Sequence, residues 1–165
     1  QVADALDGRE LALPRLADDA PRVEIASDLD AVAVTRKPGQ GKLSAIEHVC
    51  HLIDMERSVF GVRLRRVLEE SSPRLDPVSM DHFVEEERWR DRAFADLVAE
   101  WEEARRANIE RVAAADDDDL TRVALQPDVG RITFLQIARQ WARHDREHLR
   151  QLEIIALNLR ERNLP

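Results

Sequence analysis

The sequence predicts an all-α domain, an antiparallel four-helix bundle, on three observations. The chain has no Tyr, only five Gly, and Ala, Leu, Arg and Glu throughout, a composition that favours helix over strand. Apolar residues recur at three- and four-residue spacings in three long segments, as on a helix with one buried face. Pro and Gly separate these segments. The 165 residues fit one core, so we predict a single domain over 1–165 with more than half of its residues in helices.

The first forty residues give the weakest secondary-structure signal in the sequence. Short apolar stretches there could form helical turns, but Pro14 and Pro21 fit comfortably only near the start of a helix. We predict one helical arm over residues 1–30. The apolar segment from Asp28 to Val34 is too short to classify by its period. Residues Lys37 to Gly41 should form a loop because they contain Pro and Gly.

The second helix has a clear beginning. Ser44 and Glu47 are spaced as a capping box, in which each side chain bonds the other residue's backbone N–H, so a helix should begin here and run to about Glu70. Its apolar stripe consists of Ile46, Val49, Ile53, Phe60, Leu64 and Val67. A polar strip consists of Glu47, His51, Asp54 and Ser58. A wet surface and the wall of a polar cavity give the same pattern, so both interpretations stay open.

A third helix should follow a break in the chain. Two prolines interrupt residues 71–80, and we expect the next helix to begin near Phe83 or Arg90 and to end at Ala115. Its apolar face consists of Phe94, Leu97, Val98, Trp101, Ala104 and Val112. Arg105 is predicted at the border of this face, where its stem can pack while its guanidinium pairs with a carboxylate.

Four consecutive acids, Asp116–Asp119, come after the third helix. They would oppose the negative end of its dipole, so the helix should stop before them. They also lack the Gly and the terminal Glu of a calcium-binding loop. We interpret them as a solvated turn, followed by a loop at Gln126–Gly130 that leads into the last helix.

The last helix, predicted from Arg131 to Arg160, carries the most informative pattern. Its apolar stripe consists of Phe134, Ile137, Ala138, Trp141, Leu152, Ile155 and Leu159. His144 and His148 continue this stripe, and four residues advance a helix by ~6 Å and ~40°, so both imidazoles can reach one ion. An unpaired buried polar group costs ~1–3 kcal/mol. Two imidazoles in a core therefore suggest a metal, with a hydrogen-bonded pair of core histidines as the alternative.

Charge and composition argue against several classes of partner. The 25 basic and 33 acidic residues leave a formal charge of −8, which would repel a nucleic acid backbone. Cys50 is the only cysteine, so an internal disulfide is impossible and nothing indicates an oxidising compartment. We find no apolar run near the ~20 residues that cross a bilayer and no signal-peptide pattern at the amino end. The expectation is a cytoplasmic protein without a membrane partner.

Three separated segments carry a family resemblance. The first is Leu43–Asp54, LSAIEHVCHLID, and the second is Trp101-x-x-x-Arg105. The third is Gly130–Thr133, followed by His144-Asp145-x-x-His148-Leu149-x-Gln151. In this order, from about residue 40 to 155, they resemble the DinB-like (DinB/YfiT) superfamily. Two departures concern packing and pocket lining: Leu43 stands where many members have Trp, and Gln126 precedes Pro127 where relatives often have His.

The resemblance implies a four-helix bundle that holds a divalent metal near one end through three histidines. Carried over by motif position, these are His51, His144 and His148. Imidazole ligands suit Zn²⁺ or Ni²⁺ first, and Fe²⁺ or Mn²⁺ also. Three protein ligands leave a position open for water or substrate, as in a reactive site. Relatives resemble dimers, and leftover apolar surface could be covered in that way, so we also expect a homodimer.

Several neighbours of the predicted ligands are candidates for supporting roles. Asp54, Glu47 and Gln151 lie within a turn of the ligands and could orient ring N–H groups. Ordinary exposed polar residues would fit the same positions. Asp54 or Glu47 could also act as a catalytic general base.

The other histidines and the cysteine have different expected roles. His48 lies three residues before His51 and could replace it as a ligand on geometry alone, but the family motif selects His51. His82, in the loop before the third helix, should not take part. Cys50 points roughly 100° away from His51, so we predict that it packs in the core.

Three functions are compatible with these residues. Relatives imply a transferase or isomerase that uses a low-molecular-weight thiol, because a metal can ionise a thiol and the thiolate is the reactive form. The first alternative is a metal-dependent hydrolase. The second, from a different class, is a stress-related binding or interaction protein in which the metal only stabilises the bundle. The sequence does not identify the substrate.

Overall fold

The computed structural model describes residues 31–77, 86–127 and 129–162, in which the secondary structure is mostly helical. The helices are α1 (Ala31–Thr35), α2 (Ala45–Asp54), α3 (Gly61–Glu69), α4 (Phe94–Ala114), α5 (Asp117–Thr121) and α6 (Phe134–Arg162). The strands are β1 (Val123–Gln126) and β2 (Gly130–Thr133), which pair as an antiparallel hairpin. The predicted arm over residues 1–30, and His82, lie outside the described residues.

The predicted second helix is present, but one turn in its middle is π-helical rather than α-helical. It begins at the predicted capping box, in which Ser44 Oγ accepts from the Glu47 N–H and the Glu47 carboxylate accepts from the Ser44 N–H. A π-helical turn, Met55–Phe60, joins α2 to α3 without a break in the helical backbone. Every residue of the predicted apolar stripe is buried, so the stripe prediction is confirmed.

The core consists of two apolar clusters. The end of each long helix that lies in each cluster shows how the helices run relative to one another. In the first cluster, α2 packs with the beginning of α4 and the end of α6. In the second, α3 packs with the end of α4 and the beginning of α6. The α2–α3 helix therefore runs parallel to α4, and α6 runs antiparallel to both. This arrangement requires the connection after α3 to return the chain to the end of the bundle where α2 begins.

The third helix begins later than predicted, at Phe94. Arg90 instead lies in a turn after a short 3₁₀ segment, Glu86–Arg88. Between residues 86 and 93, only Trp89 packs against the first cluster, so this segment offers little apolar surface to hold a helix against the core. Arg105 is not at the border of the apolar face, as predicted, but is buried, with only 4% of its surface exposed. Its predicted pairing with a carboxylate is observed.

The prediction of a turn at Asp116–Asp119 is wrong. Asp116 caps α5 by accepting from the Asp119 N–H at 2.8 Å, and the next three acids form the first turn of that helix. Acidic side chains are stabilised at the amino end of a helix, where the dipole is positive. The acids therefore end one helix and begin another.

The last helix also begins later than predicted, because Arg131–Thr133 belong to the hairpin. Gly130, with φ of 86°, takes the left-handed conformation that the turn requires. Thr133 Oγ1 accepts from the Gln136 N–H at 3.2 Å, and Gln136 Oε1 accepts from the Thr133 N–H at 2.9 Å, which fixes the start of α6. None of the described helices combines the length and the apolar character needed to cross a membrane.

Candidate metal centre

The structure brings His51 from α2 together with His144 and His148 from α6. One nitrogen from each ring can be chosen so that all three lie within 4.8 Å of one another. Nε2 of His51 is 3.1 Å from Nε2 of His144. The His148 ring centroid is 4.5 Å from that of His51 and 4.4 Å from that of His144. The residues chosen from the sequence are thus neighbours in space, although they come from helices more than ninety positions apart in the chain.

The donor set fits a divalent transition metal. Zn²⁺ binds imidazole nitrogen at ~2.0–2.1 Å, and two nitrogens at that distance from one ion lie roughly 3–3.5 Å apart, close to the observed spacing of the two Nε2 atoms. His51 is buried, whereas His144 and His148 are half-buried. The cluster therefore has a protein side formed by α2 and an accessible side formed by α6.

His48 lies beside the cluster and contacts one of its members. Its Nδ1 is 3.0 Å from Nδ1 of His148. Burial lowers the pKa of His48 to about 4, although the charge of Glu47 acts in the opposite direction. A neutral His48 can share one proton with His148, which fixes the orientation of the His148 ring.

Asp145 supports His144; it belongs to the third family segment, but no role was predicted for it from the sequence. Its Oδ1 is 3.1 Å from Nδ1 of His144, and its Oδ2 accepts from Nη1 of Arg105. A histidine that binds metal through Nε2 commonly donates its Nδ1–H to a carboxylate, which sets the tautomer. The sequence does contain a signal, since Asp145 lies four residues after Trp141 on the buried stripe of α6.

The three polar residues predicted to orient the ligands make other contacts. Glu47 belongs to the helix cap and also pairs with Lys37 at 2.8 Å. Asp54 accepts from Nη2 of Arg88 at 2.6 Å. Gln151 donates to Glu147 at 2.9 Å. Through these bonds, the three side chains take part in helix capping, ion pairs or hydrogen bonds between side chains.

Cys50 is buried, as predicted, with 1% of its surface exposed. Burial raises the pKa of its thiol to about 11. The thiol therefore stays protonated near neutral pH and packs with the first cluster.

Comparisons with known proteins agree with this architecture. A sequence model of the DinB superfamily matches residues 23–152. Among solved structures, the chain is similar to YfiT from Bacillus subtilis, described as a probable metal-dependent hydrolase with an unusual four-helix bundle topology. The TM-score is 0.76 at 15% sequence identity, over 92% of this chain and 87% of YfiT. At that identity the likeness shows the fold alone.

No curated protein sequence matches the chain. The likeness to YfiT confirms the predicted all-α four-helix bundle. The match to the DinB family covers most of the sequence, including the cap of α2 and all three clustered histidines. The chain therefore belongs to the DinB superfamily.

Proposed function

We propose that this protein is a divalent-metal-dependent enzyme of the hydrolase type, with His51, His144 and His148 as the metal ligands. The observation that carries the proposal is the convergence of three imidazole donors from two antiparallel helices. The description of YfiT as a probable metal-dependent hydrolase supports the class of reaction. Zn²⁺ and Ni²⁺ are the first candidates, because affinities of imidazole sites broadly follow the Irving–Williams order.

The chain's residues would bind the ion, orient the ligands and leave one face open. Three protein ligands leave a coordination position for water or substrate. An ion bound there supplies Lewis-acid chemistry that lowers the pKa of a water or a thiol. Asp145 holds the Nδ1 side of His144, and His48 contacts the Nδ1 side of His148. The Phe60 ring, 5.5 Å from that of His144, adds an apolar wall.

Thiol S-transfer is the second candidate, and the contacts of the two predicted bases favour it. Glu47 is bonded within the helix cap and Asp54 is paired with Arg88, so neither carboxylate is held ready to take a proton. A thiol, with an ordinary pKa of ~8.5, needs less help from a base than bulk water, at ~15.7. The thiol must come from a small molecule, because Cys50 is buried and protonated.

The test begins with the metal content of untagged protein. We expect one divalent ion per chain, lost in His51→Ala, His144→Ala and His148→Ala but kept in His48→Ala. Stoichiometric metal in His51→Ala with loss in His48→Ala would transfer the ligand role to His48. Retention in all four variants would overturn the site.

Turnover on a panel of ester and amide substrates, with and without a low-molecular-weight thiol, then separates the functions. Hydrolysis that chelation abolishes and the restored ion recovers supports the hydrolase. Turnover that also requires the thiol selects the transferase. A metal-loaded protein without turnover in either assay would be a binding protein, and the enzymatic proposal would fail.

A further inference from the structure

We propose that Glu56 and Arg105 are positioning residues of this site. They hold Asp145 and, through it, the His144 ring in the orientation that turns Nε2 toward His51. The inference rests on the proposed function in treating His144 as a ligand. It concerns two buried ionisable residues that are not among the three proposed ligands.

Each of the three long helical segments contributes one charged residue to the same point in the core. Glu56 comes from the π-helical turn, Arg105 from α4 and Asp145 from α6. Nη1 of Arg105 donates to Oδ2 of Asp145 and, at 3.3 Å, to Oε1 of Glu56. All three are at least 96% buried. The chain of contacts continues from Asp145 Oδ1 to Nδ1 of His144 at 3.1 Å.

Neutral side chains hold Glu56 at one end of this network and Arg105 in its middle. Nδ2 of Asn108 donates to Oε2 of Glu56 at 2.7 Å, and Nε1 of Trp141 donates to Oε1 at 3.0 Å. The guanidinium of Arg105 lies over two indole rings, 5.0 Å from the centroid of Trp101 and 5.5 Å from that of Trp141. These contacts with two indole rings leave the Arg105 fork little freedom to turn.

The π-helical turn sets the position of Glu56. The widened turn lets the Glu56 carbonyl oxygen accept from the N–H of Gly61, five residues on, and from Nδ2 of Asn108 at 3.0 Å. Asn108 thus holds the backbone and the carboxylate of the same residue. Single π-helical turns inside α-helices occur frequently at functional sites.

Bundle stability alone does not explain this arrangement. Burying ionised groups costs desolvation that ion pairing only partly returns, and well-packed apolar residues commonly serve a core as well or better. A network that ends on a predicted metal ligand has a use that apolar packing cannot supply, namely a fixed acceptor for Nδ1–H of His144. Carboxylate partners of this kind tune metal affinity by setting the tautomer and ring orientation.

The experiment compares Glu56→Gln and Arg105→Met with a destabilised control, Leu64→Ala. Leu64 is fully buried in the second cluster and is an apolar residue that takes no part in the hydrogen bonds of the network. Zn²⁺ affinity is measured by competition with a chromophoric chelator, under conditions in which each variant is folded. We expect the affinity to fall ~10- to 100-fold in the two network variants and to stay within about twofold of the wild type in Leu64→Ala.

A second readout concerns the metal-free protein and does not depend on binding. The ¹⁵N shifts of the His144 ring should show one tautomer, protonated at Nδ1, in the wild type and in Leu64→Ala. They should shift toward a tautomer mixture in Glu56→Gln, which keeps nearly the same shape and most of the hydrogen bonds. Arg105→Lys retains the charge without the fork, and we expect an intermediate result.

The outcomes separate this inference from the proposed function. A wild-type protein that binds no divalent ion overturns the proposed function, and the tautomer of His144 then decides the inference alone. If Glu56→Gln and Arg105→Met bind Zn²⁺ as tightly as the wild type and leave its His144 spectrum unchanged, the inference is overturned. The proposed function then stays intact.

Discussion

Glu56 is the carboxylate whose acidity the fold changes most clearly. Burial and then the charge of Asp145 raise its pKa to about 7, from an ordinary 4.5, against the opposing effects of Asn108, Arg105 and Trp141. The folded protein therefore binds more protons than the unfolded chain between these two values. The contribution of Glu56 to stability is fully present below pH 4.5 and is lost as the pH rises through about 7.

Glu56→Gln removes this titration, and the pH dependence of unfolding should show its loss. We expect the free energy of unfolding of the metal-free wild type, minus that of Glu56→Gln, to decrease between pH 4.5 and pH 7.5. Urea denaturation at four pH values in this range measures the difference. A difference independent of pH would contradict the perturbed acidity of Glu56.

His48 should give the opposite dependence. Its folded pKa of about 4 lies below its ordinary 6.5, so the unfolded chain binds more protons in that window. The stability that neutral His48 contributes is present above pH 6.5 and is lost as the pH falls through about 4. In acid titrations of metal-free protein, His48→Asn should lose less stability than the wild type over this range. Parallel titration curves would show that burial does not hold His48 neutral.

At the scale of one helix, the π-helical turn requires glycine at its end. Gly61 has φ of −61°, where alanine is ordinarily the better helix residue. A Cβ at this position would collide with the Glu56 carbonyl oxygen and lie 2.9 Å from Oδ1 of Asn108. We expect Gly61→Ala to lower the free energy of unfolding by about 1–3 kcal/mol, because overpacking outweighs helix propensity.

Gly39→Ala is the matched control for this prediction. A Cβ there would make only an ordinary contact, 3.9 Å from Cγ of Lys42, so the change should stay within about 0.5 kcal/mol of the wild type. Chemical denaturation of both variants measures the two effects. Gly61→Ala that is as stable as Gly39→Ala would argue against close packing at the π-helical turn.

The helical stripes explain what the sequence could and could not predict at this scale. Each long helix was recognisable because its apolar positions recur at helical spacing, and almost all of them are buried. Each stripe also contains one member of the buried network: Glu56 follows Ile53 by three residues, while Arg105 and Asp145 follow Trp101 and Trp141 by four. Within a single helix, each of these residues is only an ionisable position in an apolar stripe. The three residues meet because of how the helices pack, and the periodicity of one helix carries no information about that packing.

Two local features escaped prediction for a different reason. The strands of the hairpin have four residues each, which is too short for an alternating pattern to stand out. The π-helical turn alters hydrogen bonding by one residue without altering the apolar stripe, so it has no signature in the spacing. The histidine cluster was predictable because the family motif selected among residues that spacing alone left open.

For the whole molecule, we propose a homodimer in which exposed apolar residues of α6 contribute to the contact. Ile154 and Leu157 are 44% and 50% exposed and lie one turn apart. Sedimentation should give the mass of two chains for the wild type and of one chain for Ile154→Glu/Leu157→Glu. Val129→Glu, which alters an exposed apolar residue of the hairpin, should remain dimeric. A monomeric wild type at working concentration would contradict the proposal.

Metal binding should also stabilise the whole bundle, because the proposed ligands join α2 to α6 and the unfolded chain does not hold them together. An ion that binds only the folded state adds ~2.7 kcal/mol at a free concentration of 100 times its Kd. For a domain of this size, that corresponds to a rise in Tm of roughly 5–10 °C. Thermal unfolding with and without Zn²⁺ should show this rise in the wild type and in His48→Ala, but not in His51→Ala. The rise should diminish in acid, because imidazoles must be deprotonated to bind. An equal rise in His51→Ala would mean that the ion binds elsewhere on the chain.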